Sequence, residues 1–248
     1  MTTRPKMQTV VLAVLLSAVA FATHAADVQQ DAKAIEVLEQ MAAYKSTLDQ
    51  VVITGVTSMD ARLGAGLMVS NSEEISVSIS RPGSMRISNF DGEATKGLYF
   101  HNGMLSFFNS ANMLYAQAEI PEEIDAAMEF AMEELEIEAP LMDLIYQDAG
   151  SRLITSEVTI LYLVDKARVG GVDCHHLAIR GPEVDIQLWI EEGDRPLPRQ
   201  FMFTSKWEGG SPRFIANLSW ETDPNFKPGF FEFKAPEGAT KIRFITQQ

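Results

Sequence analysis

The segment VDIQLWIEEGDRPLPRQFMFTSKW, residues 184–207, has the pattern of two β-strands and the turn that joins them. From Val184 to Ile190 every second residue is apolar, and the residues between are mostly polar. After Gly193 and Asp194, which favour a turn, the chain resumes the alternation around Phe201. A period of two places successive side chains on opposite faces of a strand, so each strand has one buried face. Strands joined by a short turn are antiparallel neighbours.

The same pattern recurs through most of the chain. Ile75, Val77 and Ile79 alternate with serines, and Phe214 begins another apolar alternation that ends at Trp220. Glycine pairs and Asn-Gly or Gly-Asp steps separate these segments and predict hairpins. We therefore expect an antiparallel sheet of about ten strands, which twists and curls until one face is concave.

Helical periodicity occurs before the strands and once among them. Apolar residues recur at helical spacing over about residues 29–48 and again from Ile120 to Leu135, and Pro140 precedes a third, short apolar stretch. These patterns predict one helix before the sheet and a helical insertion at about 120–147. Since no linker or composition shift divides the chain, we expect a single α+β domain over residues 27–248.

Residues 1–26 have the pattern of a cleaved signal peptide. Arg4 and Lys6 precede an apolar run from Val10 to Phe21, and small residues follow it. The run is too short to span a bilayer as a helix, for which roughly 20 residues are needed. We expect export to the periplasm and no transmembrane segment in the mature chain.

The chain is strongly acidic, with 34 Asp and Glu against 20 Lys and Arg. Cleavage would remove two basic residues and no acidic one, so the net charge would move from −14 to −16. Such a balance excludes nucleic acid as a main partner. Between Gly97 and Ser151 there is no Lys or Arg, whereas glutamates crowd the second predicted helix.

This acidic run has two interpretations. It can be the solvated face of an amphipathic helix, or it can be a docking surface that steers a basic protein partner. The docking candidates are Glu122, Glu123, Glu133 and Glu134.

The sequence contains no recognisable catalytic motif. Cys174 is the only cysteine, so no internal disulfide can form. In a strand, Cys174 and His176 face one way and His175 the other, which leaves too few converging ligands for a metal. We predict no metal, no cofactor and no enzymatic activity, although a hydrolase with a dispersed pair of carboxylates stays open.

Several segments resemble a known superfamily. RPGSMR (81–86), YFHNG (99–103) and FEFKAPEG (231–238) are similar to segments of the lipoprotein-carrier (LolA/LolB-like) superfamily. CHHLA (174–178) and QLWIEEGDRPLPR (187–199) resemble a narrower family of predicted periplasmic proteins, domain of unknown function 2092, within it.

The resemblance implies an unclosed antiparallel half-barrel with a helical lid over an apolar cavity that in the carriers holds acyl chains. It also implies that Arg81, at the position of a carrier arginine, helps to hold the lid closed. From the residues themselves we expect flexible methionines on the lid and aromatic side chains on the concave face to contact a ligand. These candidates are Met128, Met132, Met142, Phe201, Phe203, Trp207, Phe214 and Trp220.

Two functions follow from these observations. The first is a periplasmic carrier or binding protein for a lipid, an acylated molecule or another hydrophobic ligand. The alternative is an envelope sensory or scaffolding protein that binds a protein partner through the acidic helix and has a filled interior.

Overall fold

The computed structural model describes residues 29–137, 141–153, 158–207 and 209–244. The predicted signal peptide lies outside these residues, as do residues 138–140 of the predicted insertion. Within the described residues the strands are β1 (Gln29–Gln30), β2 (Gln50–Arg62), β3 (Met68–Ser80), β4 (Ser84–Phe90), β5 (Thr95–His101), β6 (Met104–Asn109), β7 (Leu114–Glu119), β8 (Ile160–Val169), β9 (Val172–Arg180), β10 (Val184–Glu191), β11 (Pro198–Ser205), β12 (Arg213–Glu221) and β13 (Thr240–Lys241).

All of these strands form one sheet that does not close. Its order is β1-β8-β9-β10-β11-β12-β2-β3-β4-β5-β6-β7-β13. Neighbours are antiparallel except at the edges, where β1 pairs with β8 and β13 pairs with β7 in parallel. The chain thus builds two antiparallel runs, β2–β7 and β8–β12, and joins them where β12 lies beside β2. This is the unclosed, curved sheet that was predicted.

Tight turns set the register of the hairpins. Asn102 and Gly103 have φ of 50° and 72°, and Gly170 and Gly171 have φ of 56° and 86°. Two successive residues with positive φ form the hairpin turn whose twist matches that of the flanking strands. Asparagine and glycine adopt this backbone at low cost, which is why the sequence marks both turns.

The described helices are α1 (Ala32–Lys45), α2 (Ile124–Leu135), α3 (Met142–Ile145) and α4 (Ala149–Leu153). Asp31 caps α1, its carboxylate accepting a hydrogen bond from the Lys33 amide at 2.8 Å. The second and third agree with the predicted insertion, whereas α4 extends the helical region beyond residue 147. None of the helices in the described part of the chain is long and apolar enough to cross a membrane.

The core lies between the helices and the concave sheet face. Ile79, Met85, Phe100 and Leu105 are neighbours across β3 to β6, and each is at most 3% exposed. The apolar faces of the helices join the same cluster, through Val37, Leu38 and Met41 of α1, Ile124, Met128 and Ala131 of α2, and Leu144 of α3.

The segment after β12 covers part of the convex face. The Phe233 ring lies 5.2 Å from that of Tyr99 and 5.4 Å from that of Tyr115. The guanidinium of Arg86, on β4, lies over Tyr99 and over Phe230. Aromatic packing and cation–π contact therefore hold the C-terminal segment on the side of the sheet opposite the helices.

Candidate functional site: a cavity under a helical lid

A cavity of about 520 Å³ lies between the concave sheet face and the segment after α2. Its volume is in the range of small-molecule sites, roughly 300–1,000 Å³. One row of paired residues across β3 to β6 supplies much of its apolar wall. That row and the residues facing it from the helical side are Val77, Ile87, Leu98 and Phe107, with Ile137, Leu141 and Ile145 opposite.

One side of the cavity is polar. Lys96 pairs with Asn89 across β5 and β4, and both side chains reach Glu73 of β3. Asn89 Nδ2 donates to Glu73 Oε2 at 3.2 Å, and Lys96 Nζ lies 3.3 Å from Glu73 Oε1. The cavity is therefore amphiphilic, because an apolar wall continues into a group of polar side chains on the same sheet face.

The lid segment, residues 141–147, is tied to the sheet by Arg81. Arg81 Nη1 donates to Asp125 Oδ1 of α2 at 2.9 Å, and Nη2 donates to the carbonyl of Ile145 at 2.7 Å. The other carboxylate oxygen of Asp125 accepts from the Gln147 amide at 2.9 Å. The Arg81 side chain is only 14% exposed. The predicted contact between Arg81 and lid carbonyls is thus present at Ile145.

Lys45 of α1 contacts the same segment. Its ammonium, at the end of α1, donates to the carbonyls of Leu144 and Tyr146, the latter at 3.2 Å. Burial and, to a smaller extent, the nearby Arg81 charge together lower the pKa of Lys45 to about 7. Two cations therefore bind three successive carbonyls at the end of α3, where a helix lacks internal donors.

A third cation joins the lid segment to its neighbouring helices. Arg152 of α4 lies 3.6 Å from the centre of the Tyr146 ring. The guanidinium also bonds Glu129 of α2 at 2.6 Å and Asp148 at 2.8 Å. Burial raises the pKa of Tyr146. The lid is thus held by cations that come from α1, the β3–β4 turn and α4.

The structure separates the aromatic candidates. Phe214 lines the cavity, and the ring of Phe203 stacks against it at 5.3 Å. Phe201 is 1% exposed in the core. Trp220 is half-buried away from the cavity, where its indole N–H donates to the Pro198 carbonyl at 2.7 Å. Trp207 is 75% exposed because β11 ends at Ser205, so the expectation that it lines the concave face is wrong.

The methionine candidates also differ in position. Met128 and Met142 are each 3% exposed and belong to the core, outside the lining of the cavity. Met132 is 40% exposed, which corrects its assignment as a ligand contact. At 100° per residue, Met132 lies about 80° from the middle of the buried face of α2. The helical side of the cavity is instead formed by Ile137, which follows α2, and by Leu141 and Ile145 of the lid segment.

The acidic candidates lie at the two ends of α2. Glu122 and Glu123 precede its first turn, and Glu133 and Glu134 are in its last turns. All four side chains are exposed. Within the described residues none of the four forms an ion pair within 4 Å.

Sequence reasoning missed Lys45 and the polar side of the cavity. Lys45 reads as an ordinary basic residue at a helix C-terminus, and its carbonyl partners are about a hundred residues further along the chain. Asn89 did carry a signal. It follows Met85 and Ile87 at a spacing of two, so a polar residue continues an apolar strand face.

The remaining reactive groups have ordinary surroundings. Cys174 is fully buried, and that burial raises the pKa of its thiol, which disfavours a nucleophilic thiolate. Among the described residues no group of three or more His, Cys, Asp or Glu side chains is arranged to hold a metal ion.

The described strands and helices form an unclosed antiparallel sheet with a helical lid over a partly apolar cavity. The model of one family, described as predicted periplasmic protein (DUF2092), matches residues 34–245. The chain belongs to that family, as the sequence resemblance indicated.

Comparison with solved structures finds distant similarity. The lipoprotein LppX of Mycobacterium tuberculosis has a TM-score of 0.48 and 11% identity, covering 79% of this chain and 99% of that one. A LolA superfamily protein of Nitrosomonas europaea has a TM-score of 0.38 and 10% identity, covering 81% and 97%.

MucB of Pseudomonas aeruginosa, solved in complex with MucA, has a TM-score of 0.44 and 18% identity, covering 78% of this chain and 59% of that one. A search of curated proteins by sequence finds no match. The fold assignment rests on the strand order and the lid geometry described above.

Proposed function

We propose that this protein is a periplasmic binding protein or carrier that holds the apolar part of a lipid or acylated molecule in the cavity under its lid. The observation that carries the proposal is the cavity itself, about 520 Å³ between the sheet and the lid segment. An interior filled by side chains would leave no such space, since protein cores hold few voids larger than a water molecule.

Ligand binding would be driven by removal of apolar surface from water. Each buried methylene contributes about 0.8 kcal/mol, so an alkyl chain can reach useful affinity with few polar contacts. The ionic contacts of Arg81, Lys45 and Arg152 are all made at or beside the lid segment. They can separate without disturbing the strand ladders beneath, which gives a route for ligand entry and release.

Native mass spectrometry and lipid extraction of protein purified from a periplasm test this proposal. We expect a co-purifying acyl species and saturable binding of a fluorescent fatty acid. Filling the cavity with Ile87→Trp should abolish that binding. The matched control is Val56→Trp, a substitution at a β2 position that is 49% exposed and outside the cavity lining.

Two results would count against a ligand carrier. One is a protein of clean apo mass that binds no fluorescent fatty acid. The other is equal loss of binding in Ile87→Trp and Val56→Trp when both variants fold as the wild type does, because binding would then not depend on this cavity.

A second candidate function is binding of a basic protein partner through the acidic ends of α2. Glu133 and Glu134 lie at the C-terminal end of the helix, where the macrodipole is negative and acidic residues are unfavourable. Helix stability alone therefore does not account for their position. A docking role supplies a reason for it, since a single-sign surface attracts oppositely charged partners.

Charge reversal separates the two candidate functions. The variant with Glu122, Glu123, Glu133 and Glu134 all changed to Lys should lose capture of a protein partner and retain fatty-acid binding. If capture survives the reversal, the acidic ends of α2 serve only solvation.

A further inference from the structure

One buried polar atom beside the cavity has no partner within the described residues. It is the side-chain oxygen of Asn89, which lines the cavity from β4. The amide nitrogen of the same side chain donates to Glu73 Oε2 at 3.2 Å, and this contact fixes which end of the amide is the oxygen. A buried acceptor without a donor carries a desolvation cost of about 1–3 kcal/mol.

The neighbouring side chains define what could satisfy that oxygen. Glu73 offers only acceptors, and its carboxylate is held beside Asn89 and Lys96. Lys96 offers donors and is 47% exposed at the outer side of the group. A ligand head placed here meets an unused acceptor in Asn89 and a donor in Lys96, so it must both donate and accept.

The sheet register places this polar group at the end of the apolar wall. Ile75, Asn89 and Lys96 are directly paired across β3, β4 and β5, and the next inward-facing row contains Val77, Ile87 and Leu98. Successive inward-facing rows are two residues apart along each strand, about 7 Å. An extended amphiphile can therefore place its tail on the apolar row and its head beside Asn89.

We propose that the cavity selects neutral amphiphiles with a hydroxylated head, such as monoacylglycerols or long-chain alcohols, over fatty acids of the same chain length. This inference rests on the proposed ligand-binding function and specifies the ligand's chemical class. A hydroxyl group donates to the Asn89 oxygen and accepts from Lys96. An ionised carboxylate has no proton to donate to the Asn89 oxygen. The attraction that it gains from Lys96 is opposed by repulsion from the Glu73 carboxylate, with which Lys96 is already paired.

Competition against a fluorescent acyl probe tests the selectivity at neutral pH. The two competitors are monopalmitoylglycerol and palmitic acid, which carry the same acyl chain. We expect the monoacylglycerol to bind about tenfold more tightly, the value of one buried hydrogen bond. In Asn89→Leu this preference should disappear, whereas Asn217→Leu, an exposed substitution on β12, should retain it.

A second variant tests the same site through charge. Glu73→Gln removes the negative charge beside the head, so palmitic acid should bind several-fold more tightly than to the wild type. Glu74→Gln is the matched control, since Glu74 is exposed and does not line the cavity.

The outcomes distinguish the head-group inference from the proposed ligand-binding function. Binding of both competitors with equal affinity, or a preference that persists in Asn89→Leu, would overturn the head-group inference and leave the cavity as an apolar site. Failure of both competitors to bind the wild type would overturn the proposed function itself.

Discussion

Arg81 is the residue whose contacts join the sheet to the lid most directly. Its side chain is 14% exposed and bonds both the Asp125 carboxylate and the Ile145 carbonyl. Removing one member of a buried polar group leaves the others without partners, which costs more than the contact itself contributes. We therefore expect the contacts of Arg81 to contribute more free energy than those of an exposed arginine elsewhere on the protein.

We predict that Arg81→Ala lowers the free energy of unfolding by about 2 kcal/mol. The matched variant Arg180→Ala breaks an exposed pair with Asp185, whose side chains are 56% and 40% exposed, and should cost less than about 1 kcal/mol. Urea denaturation of both variants measures the difference. Equal losses would mean that the Arg81 contacts are energetically ordinary.

Lys45 predicts a dependence of stability on pH. Its pKa is about 7 in the folded protein against 10.5 in an unperturbed side chain. Between these values the unfolded chain holds a proton at Lys45 that the folded chain has released, so stability rises with pH in this interval. Below pH 7 both states are protonated, and the full cost of the buried charge remains.

The difference between wild type and Lys45→Met isolates this effect from other titrating groups. We expect the free energy of unfolding of the wild type to increase relative to that of the variant from about pH 7 to pH 10. The steepest slope should approach about 1.4 kcal/mol per pH unit. Curves that stay parallel across this interval would show that Lys45 keeps an ordinary pKa.

At the scale of elements, the residue that caps the C-terminus of α2 has an unfavourable backbone conformation. Its C-terminal capping residue Glu136 has φ of 51° and ψ of 36°, the left-handed region. A residue with a β-carbon pays about 1–2 kcal/mol there, whereas glycine pays almost nothing. Glu136 leads into the lid, so this strain lies where the helical cover of the cavity begins.

Substitution by glycine should have opposite effects inside α2 and at the capping residue that follows it. Glu136→Gly should stabilise the protein by about 1 kcal/mol through relief of the left-handed strain. Glu133→Gly should destabilise it by a similar amount, because glycine weakens a helix interior. Thermal denaturation measures both signs, and a loss of stability in Glu136→Gly would contradict the role assigned to backbone strain.

The helices and strands could be predicted where the periodic pattern of apolar and polar side chains extended over enough residues to be recognised. The alternation from Val184 to Ile190 gives β10 within one residue at its end, and α2 follows from its buried positions. Edge strands β1 and β13 have two residues each, too few to display any period. The alternation of apolar residues predicts that the strand continues to Trp207, but β11 ends at Ser205, so Trp207 does not lie on the concave face.

At the scale of the whole molecule, the site could be predicted only in part. Arg81 could be found because a short motif marks it. Lys45 reaches the lid carbonyls, and Asn89 comes to face the lid residues Leu141 and Ile145 across the cavity, only through long-range packing. No local pattern specifies which cation reaches which carbonyl. The sequence therefore predicts the sheet and its cover, while the chemistry between them depends on the three-dimensional arrangement.

The position of the cations leads to a last prediction, about kinetics. Arg81 and Lys45 bond the backbone of the lid and are absent from the lining of the cavity. They should therefore stabilise the closed lid to a similar degree with and without ligand, so that they slow opening without greatly changing affinity.

The double variant Arg81→Ala with Lys45→Met should bind and release a fluorescent acyl probe about tenfold faster, with a Kd within about threefold of the wild type. Stopped-flow association and dissociation measure both rates, with Arg180→Ala as the control. If both rates stay unchanged, the ligand enters by a route that does not require the lid to open. If the affinity falls while the association rate stays constant, these two residues act on the bound ligand and not on the lid.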